Sequence, residues 1–592
     1  MRSFASFLLT ALLFLGAATT VWAKTGFDGP AELPRATVAS ALVSTPAPGS
    51  MVTVRAGDSL QAALDSAHCG DTVELEAGAV FTGTFVLRAK SCDSGHWIMI
   101  RSSAPDDVLP VEGQRMTPCY AGVASLPGRP QYTCVNPQKV LARVEYDGTA
   151  DGPFILRNGA DHYRLVGLEV TRTAGTNTAP ALLGVERGGV ADHIVVDRCW
   201  FHGTVHDETQ NGISLNGATN FAVVDSYFSD FHCTRDGKCT DSHAISGGVG
   251  SHQDGPFKIQ NNFLEAAGEA VMFGGGAATF TPSDIEIRHN HFFKPWQWME
   301  GNPDFIGGDK GWPFIVKNHL ELKNAARVLV EANLLENNWG GFTQSGYAIL
   351  LTPKNQHTHH GNVCPKCQLT DVTIRYSRIS HSGSGIAMTT SLSGNGKHGG
   401  QALAGTRYSI HDVVIDDINR KYVGGGNVFM IANGWSRNPV NTITIDHVTG
   451  FPDADSHLGL LANPKTNPDM YALAFTNNMV MTGRYPLWSA GWGRRSCAAV
   501  GTPAQKIKKC FSSYTWKNNA LIATPDAFPP DSWPAGNLFP PDTDAVRFVQ
   551  FNGGVDGDYT LEPDSPYKNA GTDGRDLGAD IVGLNAALAG VE

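Results

Sequence analysis

Four titratable residues alternate along one short stretch: Lys317, His319, Glu321 and Lys323, within WPFIVKNHLELKN. An extended chain turns successive side chains to opposite faces, so Leu320 and Leu322 point one way and these four groups the other. An amine, an imidazole and a carboxylate on one face are the parts that proton abstraction needs: a base, an acid and a group that manages charge. The preceding apolar phrase, EAVMFGG, ends in a similar turn. Aligning the two turns sets Met272 beside Leu322, which puts Glu269 in the column of His319 and Phe273 in that of Lys323. The expectation is one exposed patch, with Lys317, His319, Glu321, Lys323 and Glu269 as catalytic candidates. The inert alternative is a lateral ladder of ion pairs.

Two other stretches carry candidate chemistry. Residues 294–312, KPWQWMEGNPDFIGGDKGW, hold Trp296, Trp298 and Trp312, whose flat faces suit substrate rings, with Glu300, Asp304 and Asp309 as acceptors. The plainer reading is that the indoles pin this loop to the body. Further on, KNQHTHHGNVCPKC gathers His357, His359, His360, Cys364 and Cys367, a zinc-like grouping in a reducing compartment and a local disulfide in an oxidising one. Asp573, Asp576 and Asp580 near the end are weighed for Ca²⁺, but a solvated turn is the simpler reading.

What must position these groups is a repeat. A phrase reading apolar, any, apolar, any, small-or-Asn, any, apolar recurs, as in FKIQNNFL, DIEIRHNHF, VLVEANLL and LAFTNNMV. Alignment puts Leu168, Cys199, Ser226, Asn262, Asn290, Asn333, Ser377, Ile418, Val448, Asn478 and Asn519 in one column, with steps of 27 to 44 residues. Such a period signals a solenoid whose coils stack at about 4.8 Å, and stacked amides can bond to neighbours above and below. The fold class is all-β, a parallel β-helix. Each coil carries a second strand ending in an Asn/Gly turn, as in GISLNG, VFMIANG and HLGLLANP. The outward residues of the column strand, Gln260, Arg288, Glu331, Arg375, Asp416 and Asp446, mostly alternate in sign and read as structural pairs.

Bulk properties set limits. Arg2, the apolar run from Phe4 to Ala18 and Val21-Trp22-Ala23 predict a signal peptide over 1–23, cleaved near Ala23. The protein is then secreted, to the periplasm or outside the cell, with no later membrane span. A net charge of −11 argues against nucleic-acid binding, and an acidic ligand would need a local basic patch or a bridging cation. Eleven cysteines in an exported chain favour disulfides between sequence neighbours: Cys69–Cys92, Cys119–Cys134, Cys233–Cys239, Cys364–Cys367 and Cys497–Cys510. Cys199, the odd one, stands in the interior column as a buried thiol. Residues 24–50 read as a linker, and 51–592 as one domain with an amino-terminal cap (51–80) and a closing segment (521–592). A monomer is expected.

The helix-then-strand phrase MVTVRAGDSLQAALDSAHCGDTVELEAGAVFTG resembles the cap of pectate-lyase-like right-handed β-helix proteins, and the repeats resemble their coils across most of residues 51–520. WPFIVKN and ELKN also resemble exported bacterial β-helix proteins without an assigned activity. Lys323 with Glu321 and Glu269 is partly similar to the clade of chondroitinase B and alginate lyases. That resemblance implies a polysaccharide substrate cleaved by β-elimination, Lys323 taking the proton, His319 assisting and Ca²⁺ near the glutamates. The polygalacturonase signature is absent. Two rivals stay open: a glycoside hydrolase using Glu269 and Glu321 on a neutral glycan, and a non-catalytic carbohydrate-binding or adhesive β-helix.

Overall fold

The structure, a computed structural model, describes residues 26–148, 151–176, 178–355, 362–390, 400–434 and 437–592. The signal peptide and the trio His357, His359 and His360 lie outside the described residues.

Each coil contributes three strands, as in Ser283–Arg288, His291–Phe293 and Leu320–Leu322, and the next coil pairs with them as Ala325–Glu331, Leu334–Asn338 and Tyr347–Leu351. All these pairings are parallel, so the chain is a right-handed parallel β-helix, the hand that parallel crossovers adopt. One twelve-stranded sheet forms a face of its own; the other two strand rows join into a twenty-five-stranded system. The apolar residues of all three rows fill a single core.

The column phrase marks a corner. At the ten non-glycine positions from Arg198 to Asn518 that precede the column residue, φ runs from 47° to 58°, the left-handed region. That conformation costs about 1 kcal/mol or more outside glycine, so something must hold it. The column does. Asn262 Oδ1 accepts the backbone N–H of Ser226 (2.9 Å), Asn290 Oδ1 that of Asn262 (3.0 Å), and Asn333 Oδ1 that of Asn290 (3.0 Å). Each Nδ2 then donates to a carbonyl of the preceding coil, as Asn290 does to Ile259. Cys199 sits buried in this column, its thiol pushed up to about 12 by burial.

One coil was misaligned in the sequence. Val413, not Ile418, pairs with Val448 in the column, and His411, not Asp416, takes the outward slot between Arg375 and Asp446. The strand Gly405–Ile415 runs unbroken through the corner, and RYSIHDVVIDDI holds two overlapping matches to the phrase. The outward column is structural, as read: Arg288 and Arg375 both pair with Glu331, and Arg375 and His411 both reach Asp28.

Asp28 belongs to the supposed linker, whose described part is a strap instead. It packs back along the solenoid, with Glu32 N–H on Asp371 (3.0 Å), Arg35 N–H on Asp284 (2.8 Å) and Ser40 O accepting from Arg164 (2.7 Å). Its many Ala, Pro and Ser residues suit an extended chain lying on a surface as well as a free one. The cap forms: Ser59 caps α1 (Leu60–Ser66), and Leu60 and Leu64 are buried. All five expected disulfides are present, with Cα separations of 5.0 to 5.5 Å, which fits an exported chain. Among the described residues no helix is long and apolar enough to cross a membrane.

Replacing Asn290 by Ala strips two donors of Asn262 of their acceptor and should cost about 3 kcal/mol. Arg288→Ala, on the solvated side of the same strand, should cost under about 1 kcal/mol. Urea unfolding midpoints compare them; equal shifts would show that the column does not hold the corner.

Candidate functional site

The twelve-stranded sheet carries the predicted charged stretch, but in a different register. Val271 lies beside Leu320, Met272 beside Glu321 and Phe273 beside Leu322. The apolar alternation sets the pairing, because a slip of one residue would turn Leu320 and Leu322 out of the core. Turn alignment missed this: a run of glycines follows Phe273, whereas Lys323-Asn324 follows Leu322.

The charged groups do converge, but beneath the surface. Glu269 is 0% exposed and Glu321 2%, and Lys317, Lys323 and His243 are buried too. Lys317 Nζ pairs with Asp241 and stands 3.7 Å from Glu269 Oε1. His243 Nε2 is 3.2 Å from Glu269 Oε2, and Lys323 Nζ is 3.2 Å from Glu321 Oε1. The exposed patch is therefore a buried cluster, reaching solvent at Asp241 and Lys354.

Glu269 and Glu321 lie close enough for each to act on the other's charge, and both oxygens of Glu269 and Oε2 of Glu321 are buried without a hydrogen-bond partner. Burial pushes both up. At Glu269 the charges of Lys317 and His243 win and hold the carboxyl well below its ordinary value. At Glu321 burial and the Glu269 charge outweigh Lys323 and push it up to about 7. Of the two, Glu321 is the carboxyl that takes up a proton as pH falls through about 7. Burial, then Lys323, pull Lys354 down to about 8, while Glu269 and Asp241 overcome burial and raise Lys317. Asn211 orients His243: its Nδ2 donates to Pro180 O, so Oδ1 faces His243 Nδ1 at 2.9 Å.

His319 leaves the set. Its backbone N–H donates to Ala348 O, in a column of small core residues, and its ring turns inward against Phe292. Nε2 meets Glu336 O at 2.7 Å and Nδ1 faces Lys294 Nζ at 3.4 Å; burial and that ammonium hold the ring neutral. The chain enters the strand through a bend, so the alternation drawn from Leu320 and Leu322 fails one residue earlier. Of the tryptophans, Trp298 is buried against Phe314 and His232, pinning the loop. Trp296 stacks on Tyr422 (4.8 Å, 14°), and Trp312, 36% exposed, keeps an open ring beside Lys310.

Sequence reading missed Asp241, His243, Asn211 and Lys354. His243 lies opposite Glu269 in the sheet, and Asn211 opposite His243, so aligning strand starts by apolar register would have found both. Lys354 follows the strand Tyr347–Leu351, and its N–H reaches Lys323 O at 3.2 Å. Beside the cluster an open cleft of about 590 Å³ runs over the preceding coils, floored by Ile155, Gly184 and Ser214 and bordered by Asn211.

Ca²⁺ does not fit this cluster. The ion takes six to eight oxygens, whereas here ammonium groups already stand against both glutamates. Among the described residues no group of three or more His, Cys, Asp and Glu converges as metal ligands do. Cys364 and Cys367 are bonded to each other, and Asp573, Asp576 and Asp580 go separately to His447, Lys568 and the start of α3 (Ile581–Leu588), which follows α2 (Pro503–Cys510).

Glu321 gives a pH signature. Its folded value lies above the ordinary 4.5, so its contribution to stability is full below 4.5 and lost as pH rises through about 7. Glu321→Gln keeps a donor toward Glu269 and cannot titrate. Its melting temperature relative to wild type should climb as pH rises across that window, and neither EDTA nor Ca²⁺ should move either protein. Parallel melting curves would place the proton elsewhere.

No family model matches the chain, and no curated protein does. Among solved structures it is similar to the catalytic unit of a GH87 α-1,3-glucanase from Streptomyces thermodiastaticus, at 12% identity and a TM-score of 0.44 over 82% of this chain and 72% of that one. It is similar to the PL6 alginate lyase AlyGC, at 13% identity and 0.42 over 90% and 58%. It is also similar to pectate lyase Pel9A, at 12% identity and 0.36 over 90% and 97%. Likeness at this level lies in the coiled architecture and carries nothing about activity.

Proposed function

We propose that this protein binds an anionic polysaccharide along the cleft and cleaves it by β-elimination at the buried cluster. The observation that carries the reading is charge. Lys317, Lys323 and Lys354 stand against Asp241, Glu269 and a Glu321 whose carboxyl is pushed up to about 7, in a chain of net charge −11. One further anion would balance them, and a uronate carboxylate supplies it.

The roles shift from those predicted. Lys323, whose Nζ is 3.2 Å from Glu321 Oε1, is the group that neutralises the substrate carboxylate. Lys354, brought down to about 8 and only partly buried from solvent, is the base that removes the proton next to that carboxylate. The C–H electron pair forms the new C=C bond as the glycosidic C–O bond breaks. The departing oxygen takes the proton of Glu321.

Incubation with polygalacturonate and alginate, followed by ultraviolet absorbance, should reveal an unsaturated product. Lys354→Met should lower kcat at least a hundredfold with the melting temperature unchanged. The pH dependence of kcat/KM should be a bell between about 7 and about 8, since Lys354 must be neutral and Glu321 protonated. New reducing ends without that absorbance would indicate hydrolysis, and binding without either product a non-catalytic β-helix.

A further inference from the structure

The outward column that contains Glu321 continues up the same face through Leu350, Ala387, Met430 and Leu460 to Trp488. Five steps of about 4.8 Å place that indole roughly 24 Å from Glu321. Trp488 is 48% exposed and Tyr485, its ring 5.4 Å away, is 38% exposed. Large aromatic side chains held this far into solvent at the end of a sheet face need a reason. The inner side of the platform is closed: Lys506, itself buried, sets its Nζ 5.0 Å from the Trp488 ring and donates to Leu487 O at 2.7 Å. Arg484 lies over the Tyr485 ring at 5.4 Å, and only Asp455, at 3.4 Å, opposes it.

The surrounding sequence is basic. From Arg484 to Lys509 there are six Lys and Arg and no Asp or Glu, in a chain whose net charge is −11. Arg494, Arg495, Lys508 and Lys509 are exposed, and the Cys497–Cys510 disulfide ties their loop to α2, so the charges are carried on a rigid frame. Exposed indole and phenol rings with Lys506 and Arg484 against them, and four exposed basic residues following closely in sequence, match a polymer with flat apolar ring faces and regularly spaced negative charge.

We propose that Trp488 and Tyr485, with Arg494, Arg495 and Lys508, form a docking platform for acidic polysaccharide, separate from the buried cluster and on the same face. It rests on the reading of the ligand as an anionic glycan, and deepens it: the chain is gripped about five coils from Glu321, so the protein engages long polymer rather than short ends.

Native gels cast with polygalacturonate, alginate or a neutral β-glucan test this directly. The acidic gels should retard the wild type and the neutral gel should not. Trp488→Ala, and separately the exposed triple R494A/R495A/K508A, should each weaken retention at least tenfold, while turnover of short uronate oligosaccharides stays at the wild-type level. Lys354→Met should keep full retention. If no unsaturated product ever forms but retention still depends on Trp488, the reaction falls and the platform stands. Unchanged retention in both surface variants, equal retention by neutral glucan, or stronger retention by single-stranded DNA than by polygalacturonate would overturn the platform.

Discussion

Every coil must turn at the same place, and the structure depends on how that corner is held. A residue in the left-handed region bends the chain, and the next side chain, facing inward, bonds to the coils on either side. Asn suits this because one amide both accepts a backbone N–H and donates to a carbonyl. The corner fixes where the following strands begin, and so stacks the apolar pairs Val271–Leu320–Ile349 that set the register of the functional face. The charged cluster is a consequence of that register.

Burying so many charges is tolerable because most of them stand beside a partner of opposite sign. The same solution extends through the wall of the solenoid. Glu265 and Glu269 flank the turn Ala266-Ala267-Gly268, and between them and the next coil lies Lys294, which burial lowers to about 7 against the pull of both glutamates. On the far side Arg129, reaching in from the long loop before residue 140, pairs with Asp230 at 2.6 Å and Glu265 at 2.8 Å. Charge thus crosses this coil from one flank to the other. Within it, Glu321 and Lys354 are the groups brought near neutrality beside an opening to solvent.

The twelve-stranded face changes character along its length. Small residues floor the cleft, ionisable groups fill the middle, and apolar side chains lead to the aromatic platform. This order follows from one outward residue per coil, so a face assembled from distant parts of the chain reads as a single strip. The cleft, the cluster and the platform lie along the path a long polymer would follow.

The corner phrase, the cap helix, the five disulfides and the interior place of Cys199 were all legible in the sequence, because each rests on local pattern or on short separations. Lys317, Glu321, Lys323 and Glu269 were legible as neighbours for the same reason. Their burial was not, nor was the inward turn of His319, because a bend at the strand entrance breaks the alternation that a sequence implies. Asp241, His243 and Lys354 came into view only when coils were stacked in register, and the strap over residues 26–50 only through its contacts with coils hundreds of residues away. Periodicity determines which residues share a face; the packing of one coil on the next decides which of them meet, which see water and which carry the proton.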